Sequence, residues 1–264
     1  MVIDFHTHCF PDTLAPKALP SLARCSGNAK PVFDGTSKGL AAAAKDGGAD
    51  KAVVLNIATN PHQQKKVNDF AISLLDDETL IPFGSVHFES PDALDELQRL
   101  HDAGIKGIKL HPDYQEFFVD DERLFPIYEK IGELGMITVF HAGVDIGLPD
   151  PVYCPPKRLK AALPHFGGAP VIAAHMGGFL LWREVIDVLA DTDIYVDSSF
   201  SCGALPPLWA KEIIDTFGAQ RVLFGSDMPW SSTENEKDYI KSLGLDDERE
   251  TLILGGNAKR LLGI

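Results

Sequence analysis

A single (β/α)8 barrel is the fold this sequence predicts, on three observations. Eight short apolar or β-branched runs recur along it, stretches of helical character separate them, and 264 residues is a length such barrels commonly take. In order the runs are VIDFHTH (2–8), KAVVLNIA (51–58), LIPFGSVHF (80–88), IKGIKLHP (105–112), MITVFHAG (136–143), PVIAAHMGG (170–178), DIYVDSSF (193–200) and RVLFGSDMPW (221–230). Strands that stay apolar on both faces belong to parallel sheets covered by helices. An open doubly wound sheet is the alternative.

The connecting segments carry helix signals. SPDALDELQRLHDAG offers Ser90 as a cap, Pro91 at the first helical position, acidic residues in the first turn and Gly104 as a stop. DDERLFPIYEKIGELG, GFLLWREVIDVLADT and LPPLWAKEIIDTFGA follow the same scheme, with Pro126 placed near a helix start. Phe10 to Gly48 reads as an elaborated first loop plus the first helix, and DDERETLILGGNAKRLLGI as terminal helices packing under the barrel. No Pro-, Gly- or Ser-rich linker divides the chain, so one domain spanning 1–264 is expected.

Composition narrows the function classes. Hydrophobic residues make up 45% and charged ones 23%, the balance of an ordinary globular chain. No apolar run reaches the roughly 18 to 20 residues of a spanning helix, and no basic segment precedes an apolar one at the start, so a cytoplasmic location is the expectation. Cys9, Cys25, Cys154 and Cys202 are scattered without CxxC spacing, which argues against a zinc knuckle or a disulfide framework. The net charge of −14 remains negative even with all nine histidines protonated, which disfavours nucleic acid and anionic membranes as partners.

The chemistry gathers at strand ends. In VIDFHTH, His6 and His8 lie two residues apart on a candidate strand, with alpha carbons about 6.6 Å apart on one face. Lys109 and His111 end the fourth strand, His141 the fifth, His175 the sixth and Asp227 the eighth. In a parallel barrel these ends share one mouth. Alternation supports convergence, since Lys109 and His111 follow Gly107, His141 follows Val139 and Ile137, and Asp227 follows Gly225 and Leu223. Imidazole and carboxylate donors suit zinc or a similar divalent ion, one or two per chain, that activates water at neutral pH.

The motifs VIDFHTHCFPD, GIKLHPDYQ, VFHAG, AAHMGG and LFGSDMPW, in that order, resemble the amidohydrolase superfamily, and specifically its amidohydrolase-related branch with the aminocarboxymuconate-semialdehyde decarboxylase type enzymes. The resemblance runs from Val2 to the closing GGNAKRLLG. It implies metal ligation by His6, His8, His141 and Asp227, with His175 as proton shuttle and substrate contact. In two-metal members a fourth-strand lysine is carboxylated and bridges the ions, so Lys109 is either that ligand or a plain cation binding substrate.

Other residues are read more simply. His111 contacts substrate or only turns the chain, and Trp230 walls the pocket or packs beside it. Asp4 is a second acceptor behind the histidines or a buried core acid. His87 and Asp197 are read as structural, and His62, His101 and His165 as solvated.

The expected function is a metal-dependent hydrolase acting on a small amide, lactone or ester. Asp227 and His175 would handle protons. The alternative is a metal-dependent non-oxidative decarboxylase, and from another class a non-catalytic barrel that binds metal or ligand. The partner is a small-molecule substrate, with a homo-oligomer possible. Substrate choice is expected to reside in the loops 11–33, 113–119 and 145–156.

Overall fold

The structure is a computed structural model that describes residues 1–25 and 29–264. Eight strands follow in chain order: β1 (Ile3–Thr7), β2 (Lys51–Leu55), β3 (Leu80–Phe83), β4 (Gly107–Leu110), β5 (Ile137–Phe140), β6 (Val171–Ala173), β7 (Tyr195–Asp197) and β8 (Val222–Leu223). Every pairing is parallel, in two continuous runs β1–β2–β3 and β4–β5–β6–β7–β8.

Two seams join these runs into a ring. Beyond β3, the Gly84 N–H donates to Gly107 O at 2.9 Å, and the Lys109 N–H to Gly84 O at 2.8 Å. Between β1 and the chain after β8, Phe5 N–H donates to Phe224 O and Asp227 N–H to His6 O, both at 2.7 Å. The barrel is closed, and the open-sheet alternative falls away.

The barrel interior is a plug of Ile3, Phe5, Val53, Phe83, Val139, Ile172 and Leu223, met from below by Ala258 and Leu262. The terminal segment therefore packs where its apolar pattern suggested, as α11 (Asp247–Thr251), a π-helical turn and α12 (Asn257–Leu262). Gly107 is required by this plug. A Cβ there would stand 2.3 Å from the Phe83 ring and 2.7 Å from Ile137 O.

The outer layer comprises α1 (Ala15–Cys25), α2 (Ser37–Asp46), α3 (Gln64–Ser73), α4 (Ala93–Asp102), α5 (Pro112–Gln115), α6 (Phe125–Glu133), α7 (Pro156–Ala162), α8 (Trp182–Leu189), α9 (Pro207–Phe217) and α10 (Thr233–Ser242). Two expectations need correction. The α4 helix begins at Ala93 rather than Pro91, because Ser90 Oγ donates to Asp92 Oδ1 at 2.6 Å and the Ala93 N–H to Ser90 O, forming a turn ahead of it. The segment after β1 holds two helices, not one. Residues 26–28 of the loop expected to shape the substrate site lie outside the described residues.

The strands are also shorter than the apolar runs. Each leaves its ladder near the mouth, and His111, His141, His175 and Asp227 sit just past the last paired residue. Strand β1 slips register against β2 between Asp4 and Thr7. The slip allows Phe5 to enter the plug while its neighbour His6 also faces the mouth.

Candidate metal centre and active site

His6, His8 and Asp227 converge at the mouth. Asp227 Oδ1 lies 3.4 Å from His6 Nε2 and 3.2 Å from His8 Nε2. Two donors each about 2.1 Å from a tetrahedral ion stand roughly 3.4 Å apart, so these spacings match one shared cation. The opposite ring nitrogens are tied down. His6 Nδ1 donates to Asp197 Oδ2 at 2.8 Å and His8 Nδ1 to Leu55 O at 2.8 Å, which leaves both Nε2 lone pairs facing Asp227 and free to ligate. Gly225 makes room for His6, since a Cβ on it would fall 2.8 Å from His6 Cβ.

Electrostatics keeps the donors ready. Burial, then the charge of Lys109, push His6 down to about 4, so it is neutral at pH 7. Burial works against an ionised Asp227, but the surrounding imidazoles, His8 first and then His6 and His175, outweigh it, and the carboxyl lies below its ordinary range. Asp197 behaves alike, its burial outweighed chiefly by His6. Lys109 Nζ is 3.4 Å from His6 Nε2, and burial pushes this lysine down to about 8.

His175 and His141 continue the array. Ser199 O and Ser199 Oγ stand 3.2 and 2.9 Å from His175 Nδ1, and the hydroxyl proton goes to Asp197 Oδ1. His175 Nδ1 therefore carries the hydrogen, and its Nε2 accepts from His141 Nδ1 at 3.1 Å. Both His175 and Asp227 adopt left-handed backbones, φ 58° and 68°. Such conformations cost about 1–3 kcal/mol and persist where surroundings over-determine them. Here the His175 N–H donates to Asp197 Oδ1, Trp182 Nε1 donates to His175 O, and the Trp230 N–H donates to Asp227 O at 2.8 Å.

The structure distributes the expected ligands over two groups. One is His6, His8 and Asp227; the other is His111, His141 and Asp145, whose donor atoms lie within 4.8 Å of one another. His141 thus turns its Nε2 away from the first group, toward Asp145 Oδ2 at 3.9 Å and Asp113 Oδ2 at 3.9 Å. Burial pushes His111 and His141 well below the ordinary histidine range, so both are neutral. Burial raises Asp113 to about 7, helped by the charge of Asp145, and raises Asp145 as well. His111 also caps α5, where its Nδ1 accepts from the Tyr114 N–H.

A cavity of about 550 Å³ opens above these residues, and Trp230 and His111 line it. Its outer wall is largely apolar, with Leu14, Leu22, Val67, Phe70, Ile146 and Phe179 among the lining side chains. Helix α1 contributes part of that wall, so the elaborated first loop covers the mouth. His87 lies under the backbone of Glu89 and does not line the cavity. Asp4 accepts from the N–H groups of His6 and Ser226 and from Thr233 Oγ1, so it anchors the chain after β8 rather than an imidazole. His165 stacks on Phe125 at 3.6 Å, half-buried rather than freely solvated.

Sequence reasoning missed Asp197, Ser199, Asp113 and Asp145 as parts of this array. Asp197 had a signal, an acid closing the apolar run DIYVD at the mouth end of β7. Asp145 follows His141 by four residues, but only the path of the loop brings the two together.

The family model described as Amidohydrolase matches residues 3–264. This chain belongs to the amidohydrolase family. As such it is an enzyme of the amidohydrolase superfamily, on a closed parallel barrel with two His/Asp groups able to hold a divalent cation. The family member is similar in structure to an uncharacterized TIM-barrel protein from Bordetella bronchiseptica, at 21% identity over 99% of this chain and 98% of that one, with a TM-score of 0.80. A dihydroxybenzoic acid decarboxylase from Polaromonas with bound manganese and the inhibitor 2-nitroresorcinol gives 15% identity, 99% and 96% coverage, and a TM-score of 0.71. A candidate 2-pyrone-4,6-dicarboxylic acid hydrolase from Pseudomonas putida gives 18%, 99% and 97%, and 0.70. At such identities the likeness establishes the shared fold. No helix among the described residues is long and apolar enough to cross a membrane.

Proposed function

We propose that this amidohydrolase-family chain is a metal-dependent hydrolase of a small amide, lactone or ester with an apolar body. The observation that carries the reading is the placement of Asp227, whose Oδ1 stands beside the Nε2 atoms of both His6 and His8 while the carboxyl is held ionised. The donor set fits zinc or manganese, and a cation bound by His6, His8 and Asp227 would polarise a carbonyl oxygen and make a bound water acidic near neutral pH.

The remaining work falls to the chain itself. Asp227 accepts the attacking water's proton at its carboxylate. His175 Nε2 accepts from His141 Nδ1–H at rest; on releasing that bond it takes the proton from Asp227 and delivers it to the leaving heteroatom, while the contact of His175 Nδ1–H with Ser199 holds the ring in place. Asp197 fixes His6 and, through Ser199, His175. Lys109 stands where a cation would face a carbonyl or carboxylate oxygen of the substrate. The apolar wall takes the substrate body and excludes water around it.

The test is turnover on a panel of aryl esters, lactones and amides by the zinc- and manganese-loaded enzyme, followed by acid release at constant pH. Chelation should abolish it, metal should restore it, and Asp227→Asn should remove it. A second reading, non-oxidative decarboxylation, draws on the same apolar wall, which would strip water from a substrate carboxylate. Carbon dioxide released from carboxylated aromatics, lost in His175→Ala and unaccompanied by turnover on the ester panel, would replace hydrolysis with that reaction.

A further inference from the structure

Two helices wall the cavity above the histidines, and each turns one stripe of side chains to it. Leu14, Ala18 and Leu22 follow at four-residue steps from the start of α1, and all are uncharged. Helix α3 presents Gln63, its N-cap, then Lys66, Val67 and Phe70, the i, i+3, i+4, i+7 spacing of a single helical face. Lys66 therefore belongs to the stripe that faces the cavity, although its side chain is exposed. Val67 and Phe70 give its methylene stem an apolar surface to lie on, so the ammonium can reach into the opening.

The other charges of the wall sit at its inner end. Apart from the histidines they are Asp227, 3.2 Å from His8 Nε2, Asp145, 3.6 Å from His111 Nε2, and Lys109, 3.4 Å from His6 Nε2. The α1 and α3 stripes hold no carboxylate, and their single charge is the Lys66 ammonium. That charge is also unspent. The only acid on α3, Asp69, is held by Arg99 Nη1 at 2.9 Å and approached by Lys65 Nζ at 3.9 Å, and Lys66 makes no ion pair among the described residues. On a chain of net charge −14, a cation that no acid neutralises stands on an otherwise uncharged part of the cavity wall.

We propose that the substrate carries, besides the group that is cleaved, a second and anionic group such as a carboxylate, and that Lys66 pairs with it in the outer part of the cavity. The substrate is then amphipathic, with a reacting group among the histidines, an apolar body against Leu14, Leu22, Val67 and Phe70, and a negative charge at the far end. Lys66 acts on specificity and not on the bond that breaks. The inference rests on the hydrolase reading for the nature of the reacting group alone. Because Lys66 is exposed, its pairing is screened by solvent, and the preference it creates is modest and falls with added salt.

The test uses the metal-loaded full-length protein and matched pairs of substrates. Monophenyl esters of the diacids from adipate to suberate are each compared with the phenyl ester of the monocarboxylic acid of equal chain length, and the ratio of kcat/KM within a pair is the readout. The wild type should favour the carboxylated member of at least one pair by roughly 2- to 5-fold, through KM. Lys66→Met should bring the ratio to unity and Lys66→Glu below it, and exposure of the site lets both variants fold. A wild-type ratio of unity throughout overturns the proposal, as does a preference that both variants retain, which would place the anion at Lys109 instead. Absence of turnover on every ester sinks the hydrolase reading, a separate failure. Calorimetric titration with the same diacids against their monoamides then makes the comparison without catalysis. Tighter binding of a diacid that Lys66→Met and Lys66→Glu abolish upholds the role of Lys66, and equal binding of the two ligands, or a difference the variants leave intact, overturns it.

Discussion

The two ends of one barrel solve different problems with the same strands. Toward the N-terminal end, Ile3, Phe5, Phe83, Val139 and Leu223 fill the interior with apolar volume, and the terminal helices close it. One or two alternations further along, His6, Lys109, His141 and Asp227 occupy the mouth. There the backbone turns left-handed at His175 and Asp227, and the buried His141 Nε2 has no hydrogen-bond partner among the described residues. Stability is concentrated where nothing titrates, and the strain is placed where ligands are to bind. The lesson is that substitutions at the two ends should separate cleanly into losses of fold and losses of chemistry.

The largest separation is expected at Asp227. Asn tolerates the φ of 68°, so Asp227→Asn should melt within a few degrees of wild type in the metal-free state, while kcat falls by about 10²- to 10⁴-fold. Retained turnover, or loss of the fold, would break the contrast. At the other end, Phe83→Ala removes a ring with 0% exposure from the plug and should cost about 3–5 kcal/mol. In a domain of this size each kcal/mol lowers Tm by roughly 2–4 °C. Metal content per folded chain should not change.

How much of this contrast could be read before folding depends on which interactions are local. The alternation Leu223–Gly225–Asp227 and Ile137–Val139–His141 is a property of single strands, and it correctly separated plug from mouth. The slip in β1 is not local. Only pairing with β2 reveals that Phe5 and His6 both serve the interior, and of the two readings of Asp4 the buried acid is the one the structure shows. The division of histidines was equally hidden. His141 joins Asp145 and His111 because the loop after β5 folds back on itself, with Gly147 and Leu148 gripping Asp145 Oδ1, and nothing in the spacing announces that turn. Asp197 was underweighted because one acid in an apolar run is ambiguous until its partner, His6, is 2.8 Å away.

A smaller effect tests the plug at its tightest point. Gly107→Ala adds a single methyl group against the Phe83 ring and Ile137 O. Both neighbours are fixed by packing and by the β4–β5 ladder, so overpacking should cost about 1–3 kcal/mol. Thermal denaturation measures it. A neutral result would mean that β3 can retreat, and that the interior is softer than its contacts imply.

The smallest predicted effect asks whether ionisable groups around the mouth weaken the fold as the contrast requires. Glu236, 1% exposed, ties the chain after β7 to the chain after β8. Its Oε2 accepts from the Ser201 and Cys202 N–H groups at 3.0 and 2.9 Å, and its Oε1 from Ser231 Oγ at 2.7 Å. Burial raises this carboxyl from 4.5 to about 7, against the pull of those hydrogen bonds. Between these values the folded chain binds more proton than the unfolded one, so stability falls as pH rises through the window and levels off above about 7. Glu236→Gln keeps the oxygen that faces the two N–H groups and cannot ionise. Its Tm relative to wild type should therefore climb between pH 5 and pH 8, in melts recorded across that range. Parallel curves for the two proteins would show that Glu236 ionises without cost. In that case the mouth is better solvated than the burial of Glu236 implies, and its strain would reside in the backbone at His175 and Asp227 rather than in buried charge.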